Sequence, residues 1–264
     1  MSARVAGKPG VTTSRIVIAV IGALFLIPLL AMLEFSLRQQ GGSGYTLEHW
    51  AGIFDPANSR AYRTLGVGVL NSLLLAALTL LLLFVLFVPT IVLVHLRFPS
   101  LERVLDTLTL LSVAIPLIAM VVGLAPIYRV LGVGFGSGVW TLVFAYGVQV
   151  LPFAYRAIVS ELQHMDARVR AEAARSLGAP WITVLLRVIM PGLRRGLVAA
   201  SLLTLAIVFG EFTIASLLNR VNLQTALFQL SQSDAYVATA VSLLSLIMVF
   251  VVLVFAGGGS RNRS

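Results

Sequence analysis

Six apolar stretches, residues 16–36, 65–94, 107–128, 139–155, 196–218 and 236–257, each hold enough apolar side chains to cross a bilayer as helix. A hydrocarbon core of about 30 Å takes roughly 20 helical residues, and inside it every backbone N–H and C=O must find a partner within the protein. A chain patterned this way is confined to one fold class, an all-α polytopic membrane protein with six transmembrane helices. Composition agrees: 59% of the 264 residues are hydrophobic and 11% charged, and the mean hydropathy is +0.99. The second stretch is longer than one crossing needs, and Pro89 within it is expected to bend the helix.

Charge supplies the orientation. The net charge of +9 is compatible in principle with a nucleic-acid partner, but the basic residues are sorted by topology. Of the 19 Lys and Arg residues, all but Arg38, Arg60, Arg63, Arg129 and Arg220 fall before the first stretch, after the last, or in the connections 95–106 and 156–195. The positive-inside rule then puts both termini and the 156–195 loop in the cytoplasm of a multi-pass membrane protein. No nucleic-acid partner follows; the bilayer is the partner. The basic start before residue 16 also resembles a secretory signal, yet the apolar run is long enough to span and no small-residue cleavage pattern follows, so it is read as a retained helix. With no cysteine, disulfides and thiolate chemistry are excluded.

The chain thus divides into a tail at 1–15, a transmembrane region at 16–257 and a tail at 258–264. Tyr45, Trp50, Phe54 and Tyr62 occupy the first external segment, where an aromatic belt is expected. Residues 95–106, 131–138 and 219–235 read as short connections, leaving 156–195 as the loop able to receive a cytoplasmic partner. In it, Asp166 is expected to cap a helix over 167–177 through its side chain. Gly178 supplies a left-handed stop, and Pro180 prevents continuation. Val169, Ala173 and Leu177 recur every four residues as an apolar stripe flanked by Ala174. Small Ala173 and Ala174 permit close approach of a partner, and Glu172 is available to pair across an interface or with Arg168 or Arg175. A second helix is expected from Trp181, with Trp181, Leu185 and Val188 on one side, running to Met190-Pro191.

At these residues the chain resembles the inner-membrane permease subunits of binding-protein-dependent ABC importers, the type I importer family. Their loop signature is Glu-Ala-Ala, three residues, Gly, nine residues, then Ile-x-Leu-Pro. Glu172-Ala173-Ala174, Gly178 and Val188-Ile189-Met190-Pro191 stand at matching positions, with Val188 and Met190 as conservative departures and Arg195 where many members carry a second proline. Asn71-Ser72-Leu73 and Gln149-Val150-Leu151-Pro152-Phe153 also fit the family pattern. The resemblance implies that Glu172, Ala173, Ala174, Leu177, Gly178 and Pro191 couple the chain to a cytoplasmic ATPase. It further implies two ATPase subunits, a second permease subunit in a homodimer or heterodimer, and an external solute-binding protein. ATP and Mg would be bound by the ATPase, with no cofactor on this chain. Residues 172–191 look most like the polyamine, phosphonate, ferric-iron and thiamine branch, with polyamine slightly favoured over those and over sugar.

Other motifs point away from catalysis. Lys8 is the sole lysine and no phosphate-binding Gly-x-x-x-x-Gly-Lys motif occurs, so ATP hydrolysis is expected on a separate subunit and the chain itself is not an enzyme. The run Gly132, Gly134, Gly136 and Gly138 lacks a βαβ frame and reads as a loop. His49, His95 and His164 lack metal-ligand spacing, so no metal site is expected. Polar groups inside spans are costly and therefore candidates for function. Glu211 leads, either lining the translocation pathway or bonding to a neighbouring helix; Asn71, Gln149, Thr213 and Ser216 follow. The alternative function, an ATP-independent channel or secondary transporter, calls for ionisable residues in several spans and for broken helices.

Overall fold

The computed structural model describes residues 11–42, 44–55 and 62–258, so most of both expected tails lies outside the described residues. Among the described residues the chain is built from helices: α1 (Val11–Leu37), α2 (Glu48–Phe54), α3 (Arg63–Leu82), α4 (Val88–Arg97), α5 (Pro99–Ala114), α6 (Leu117–Phe135) and α7 (Val143–His164). After these come α8 (Ala167–Ser176), α9 (Trp181–Thr183), α10 (Met190–Gly192), α11 (Arg194–Gly210), α12 (Thr213–Leu217), α13 (Leu223–Ser233) and α14 (Ala235–Gly258). One isolated bridge, Arg38 to Tyr45, is the β feature among them. The expected all-α class is the observed one.

Among the described residues four helices are long and apolar enough to cross a membrane: Thr12–Leu37, Arg63–Arg97, Leu117–Gly134 and Val139–His164. A bent pair, Trp181–Gly192 with Arg194–Gly210, makes a fifth, and the sixth expected stretch falls on α14. The second span is one rod of 35 residues, about 50 Å at 1.5 Å per residue. Pro89 does not break it. Five residues ahead of α4, Leu83–Phe87, widen into a π turn, which relieves the clash of a proline ring with the carbonyl four residues back. The same device, Val184–Ile189, precedes Pro191.

Three expectations are corrected. The third stretch, 107–128, is not a single helix: it breaks at Ile115-Pro116, where Ile115 is extended (φ −78°, ψ 122°) because a residue before proline is pushed out of helical space. The connection at 95–106 is almost wholly helical, with Pro99 in the first turn of α5, a position that needs no N–H. Residues 219–235 hold α13, which starts from a reciprocal cap: Asn222 Oδ1 accepts from the N–H of Thr225 (2.9 Å) and Thr225 Oγ1 accepts from the N–H of Asn222 (2.9 Å).

The chain folds as two compact units, residues 1–60 with 230–247, and 61–229 with 248–264. In the first, α1 turns apolar side chains such as Leu24, Phe25 and Leu30 outward, as a lipid-facing helix does. At its end Tyr236 stacks on both Phe35 and His49 at 4.9 Å, and Trp50 Nε1 donates to Ser36 Oγ at 3.1 Å. Trp50 is thereby engaged inside the unit, while Tyr45 and Phe54 are exposed.

In the second unit α7 is central, packed by α11, α3, α4 and α5. Two apolar cores lie along it, one of Leu83, Val92, Ile158, Leu162, Ile189 and Leu193, the other of Leu75, Val121, Tyr146, Val208 and Ile214. Small residues set the closest approaches. A Cβ on Gly68 would come within 2.7 Å of both the Ala226 Cβ and the Asn222 carbonyl oxygen. Gly68→Val is therefore expected to lower stability by about 1–3 kcal/mol, through overpacking against backbone that cannot yield. Thermal unfolding in detergent checks this; an unchanged midpoint would show that α3 and α13 can separate freely.

Candidate functional site

Two left-handed residues, Asp166 and Gly178, bracket the helix α8 of the 156–195 loop. Asp166 opens α8 in the left-handed region (φ 48°, ψ 51°) and makes no side-chain cap, contrary to expectation. An aspartate tolerates that conformation better than most residues, and in adopting it gives a sharp turn from α7 to α8 in place of a capping bond; its carbonyl accepts from the N–H of Arg170 at 3.3 Å. At the other end Gly178 has φ 84°. The N–H of Ala179 bonds the Ala174 carbonyl at 3.1 Å, and that of Gly178 the Arg175 carbonyl at 2.9 Å, the paired bonds of a Schellman stop. Leu193 then turns the chain by 76° into α11.

Between these stops α8 has two faces. Ala167 and Ala171 are buried in the core, and Ala174 packs against it from the rim. Val169 and Leu177 face outward, 65% and 89% exposed, with Ala173 on the same exposed side. Of the two signature alanines, only Ala173 is open to a partner. Glu172 is exposed and, among the described residues, makes no ion pair. The arginines expected to pair with it are committed elsewhere: Arg168 bonds Glu102 at 2.9 Å, and Arg175 lies 5.3 Å from the Trp181 ring centre and donates to the Ala179 carbonyl. Pro191 is exposed in the first turn of α10.

A second constellation surrounds Glu211, which is 4% exposed. α11 stops at Gly210, Glu211 is extended, and α12 begins two residues later. The carboxylate accepts from the Tyr146 hydroxyl (3.0 Å) and from the N–H groups of Ile214 (2.7 Å) and Ala215 (3.2 Å). It therefore supplies the first turn of α12 with the acceptors a helix start lacks and ties that turn to α7. Asn222 Nδ2 donates to the Glu211 carbonyl (2.6 Å) and the Tyr146 hydroxyl (3.2 Å). Asn71 Nδ2 donates to the Val221 carbonyl at 2.7 Å, and Ser72 Oγ accepts from the N–H of Leu223 at 2.9 Å. Broken backbone at this depth is tolerated only when satisfied in this manner.

The structure thus brings Asn71 and Glu211 into one network and leaves the other candidates outside it. Gln149 lies one turn beyond Tyr146 with its Oε1 buried and, among the described residues, without a hydrogen-bond partner. Thr213 is half-buried and Ser216 exposed. Tyr146 and Asn222 are network members that pattern reading missed. The Asn-x-x-Thr spacing at 222–225 marks a helix start and was legible; Tyr146, an aromatic in an apolar span, carries no such signal.

The family of binding-protein-dependent transport system inner membrane components matches residues 88–259, well over half of the chain. The chain belongs to this family. It is an inner-membrane component of a binding-protein-dependent transport system. Broken helices, named above as a mark of a secondary transporter, are present in this member of the family at Ile115-Pro116 and Glu211-Phe212. The spermidine/putrescine transport system permease protein PotC of Haemophilus influenzae is 30% identical over 141 residues, 52% of this chain and 53% of that protein. PotC of Escherichia coli and that of Shigella flexneri are each 30% identical over 101 residues, 38% of this chain and 37% of theirs. The chain thus aligns with about half the length, or less, of the curated relatives it matches.

Proposed function

We propose that this inner-membrane component is one half of the translocation core of an ATP-driven importer, coupled through α8 to a cytoplasmic ATPase that binds ATP and Mg. The observation that carries the reading is the outward stripe of Val169, Ala173 and Leu177 on a helix pinned from behind by Ala167 and Ala171. Apolar side chains held at the tip of a polar loop cost free energy unless a partner covers them. A short helix stopped at both ends passes on a push as a rigid body. The proposed assembly has two ATPases, a second permease and an external solute-binding protein, with both termini of this chain cytoplasmic. In it Gln149, Thr213 and Ser216 face the pathway, while Glu211 and Asn71 hold the chain break beside it.

Polyamine is the proposed solute, supported by relatives named for spermidine and putrescine transport. The absence of native cysteine makes the test direct. Leu177→Cys in the tagged chain, purified in mild detergent and treated with a thiol cross-linker, should link to a co-purifying ATPase identified by mass spectrometry. Recovery of an active chain with no ATPase would return the channel or secondary-transporter reading. Reconstituted with its partners, the complex should accumulate radiolabelled spermidine in an ATP-dependent manner. Uptake of another solute with none of spermidine would remove the polyamine assignment and leave the coupling intact.

A further inference from the structure

Arg168 sits on α8, but its guanidinium serves a different part of the molecule. Nε donates to the carbonyl of His95 at 3.0 Å, and one terminal nitrogen donates to Glu102 Oε2 at 2.9 Å. The His95 carbonyl belongs to the last turn of α4, where carbonyls lack helical partners and a cation is favoured. Glu102 lies in the first turn of α5, where an acid is favoured. Its second oxygen, Oε1, is 2.9 Å from Nδ1 of His95, a residue 7% exposed. An ionised carboxylate can only accept, so that ring nitrogen is the donor. Each of the three residues therefore contacts the other two, and together they join α8 to the corner between α4 and α5.

That corner is strategically placed. α4 continues without interruption into the Arg63–Arg97 rod, and α5 leads to the break at Ile115-Pro116. α5 is also tied to α7, by the Tyr155 hydroxyl on the Glu102 carbonyl (3.4 Å) and by Arg156 on Asp106 (3.2 Å). The Arg168 and Glu102 side chains are 46% and 25% exposed, so their ion pair adds little to stability. Its use is geometric: a planar guanidinium offers two donors at a fixed angle, one to a carbonyl and one to a carboxylate, which an ammonium cannot match.

We infer that Arg168, Glu102 and His95 form a clamp that carries displacement of α8 into the α4–α5 corner, a second drive point beside the covalent links to α7 and α11. The inference rests on α8 being the ATPase-coupling helix. Arg168 acts as a positioning residue, turned away from the stripe proposed to meet the ATPase.

The test uses the assembled complex and one introduced thiol, Thr107→Cys, on the exposed side of α5. Its labelling rate by a maleimide is compared between nucleotide-free and vanadate-trapped complex, a readout that needs no knowledge of the solute. The clamp predicts a change of about fivefold or more between the two states, the low end for coupled sites. Arg168→Ala and Glu102→Gln should each abolish that change while the ATPase still co-purifies, and the two together should do no more than either alone, as members of one unit. Arg168→Lys, which keeps the charge but not the two-donor geometry, should show an intermediate change, and it replaces Arg168→Ala should that variant fail to fold. An undiminished change in all variants, or no change in the parent, overturns the clamp. Loss of the ATPase from the parent preparation overturns the coupling reading beneath it.

Discussion

Replacement of Gly178 by isoleucine is expected to leave the chain inserted in the membrane while lowering ATPase recovery and solute uptake by roughly tenfold or more. At φ 84° the backbone lies in the region that side chains with a Cβ rarely enter, and the cost for an L-residue is about 1–2 kcal/mol, more when β-branched. The effect is conformational in origin, since a Cβ built on Gly178 meets nothing within 4 Å. The substituted residue relaxes by giving up φ > 0, the bonds from Gly178 and Ala179 back to Arg175 and Ala174 are lost, and the last turn of α8 frays, carrying Leu177 with it. Because 1.4 kcal/mol corresponds to tenfold in an equilibrium, even the lower part of this range is visible as lost docking. Gly178→Asn, a residue that tolerates the left-handed region, should retain most of the function. Unchanged solute-stimulated ATPase activity in the Gly178→Ile complex would sink the coupling role of this stop.

The second large effect is expected at Glu211. Glu211→Ala removes one carboxylate and strands the Tyr146 hydroxyl and the N–H groups of Ile214 and Ala215 in a buried setting. Unsatisfied buried donors cost about 1–3 kcal/mol each, and three are left here. A drop in the unfolding midpoint on the order of 10 °C in detergent is expected for a domain of this size, with a smaller one for Glu211→Gln, which keeps one acceptor oxygen. Full stability combined with altered solute selectivity would instead make Glu211 a solute-contacting group.

These two residues show how differently the sequence speaks about its own structure. Gly178 was legible because its role is local: a helix stop depends on four or five consecutive residues, and Gly before Ala179-Pro180 satisfies it without reference to the rest of the fold. The apolar runs were legible for a similar reason, since bilayer thickness dictates their length. Asp166 misled because its type suits both a side-chain cap and a left-handed turn, and the path of α7 into α8 selected the turn. Ile115-Pro116 was underread: in an apolar stretch a proline is compatible with a kink, a π turn or a break, and here Pro89 took the second course and Pro116 the third.

By itself, the sequence determined the fold class, the helix of the 156–195 loop with its Gly178 stop, and the family, because each follows from spacing along the chain or from the solvent a segment must enter. Only the tertiary structure decided which polar side chains meet. Arg168 finds Glu102 in place of Glu172, and Glu211 finds Tyr146, because hydrogen-bond partners within about 3 Å are chosen by how helices pack. Packing brings together residues 65 or more positions apart along the chain, a distance over which no local pattern carries information.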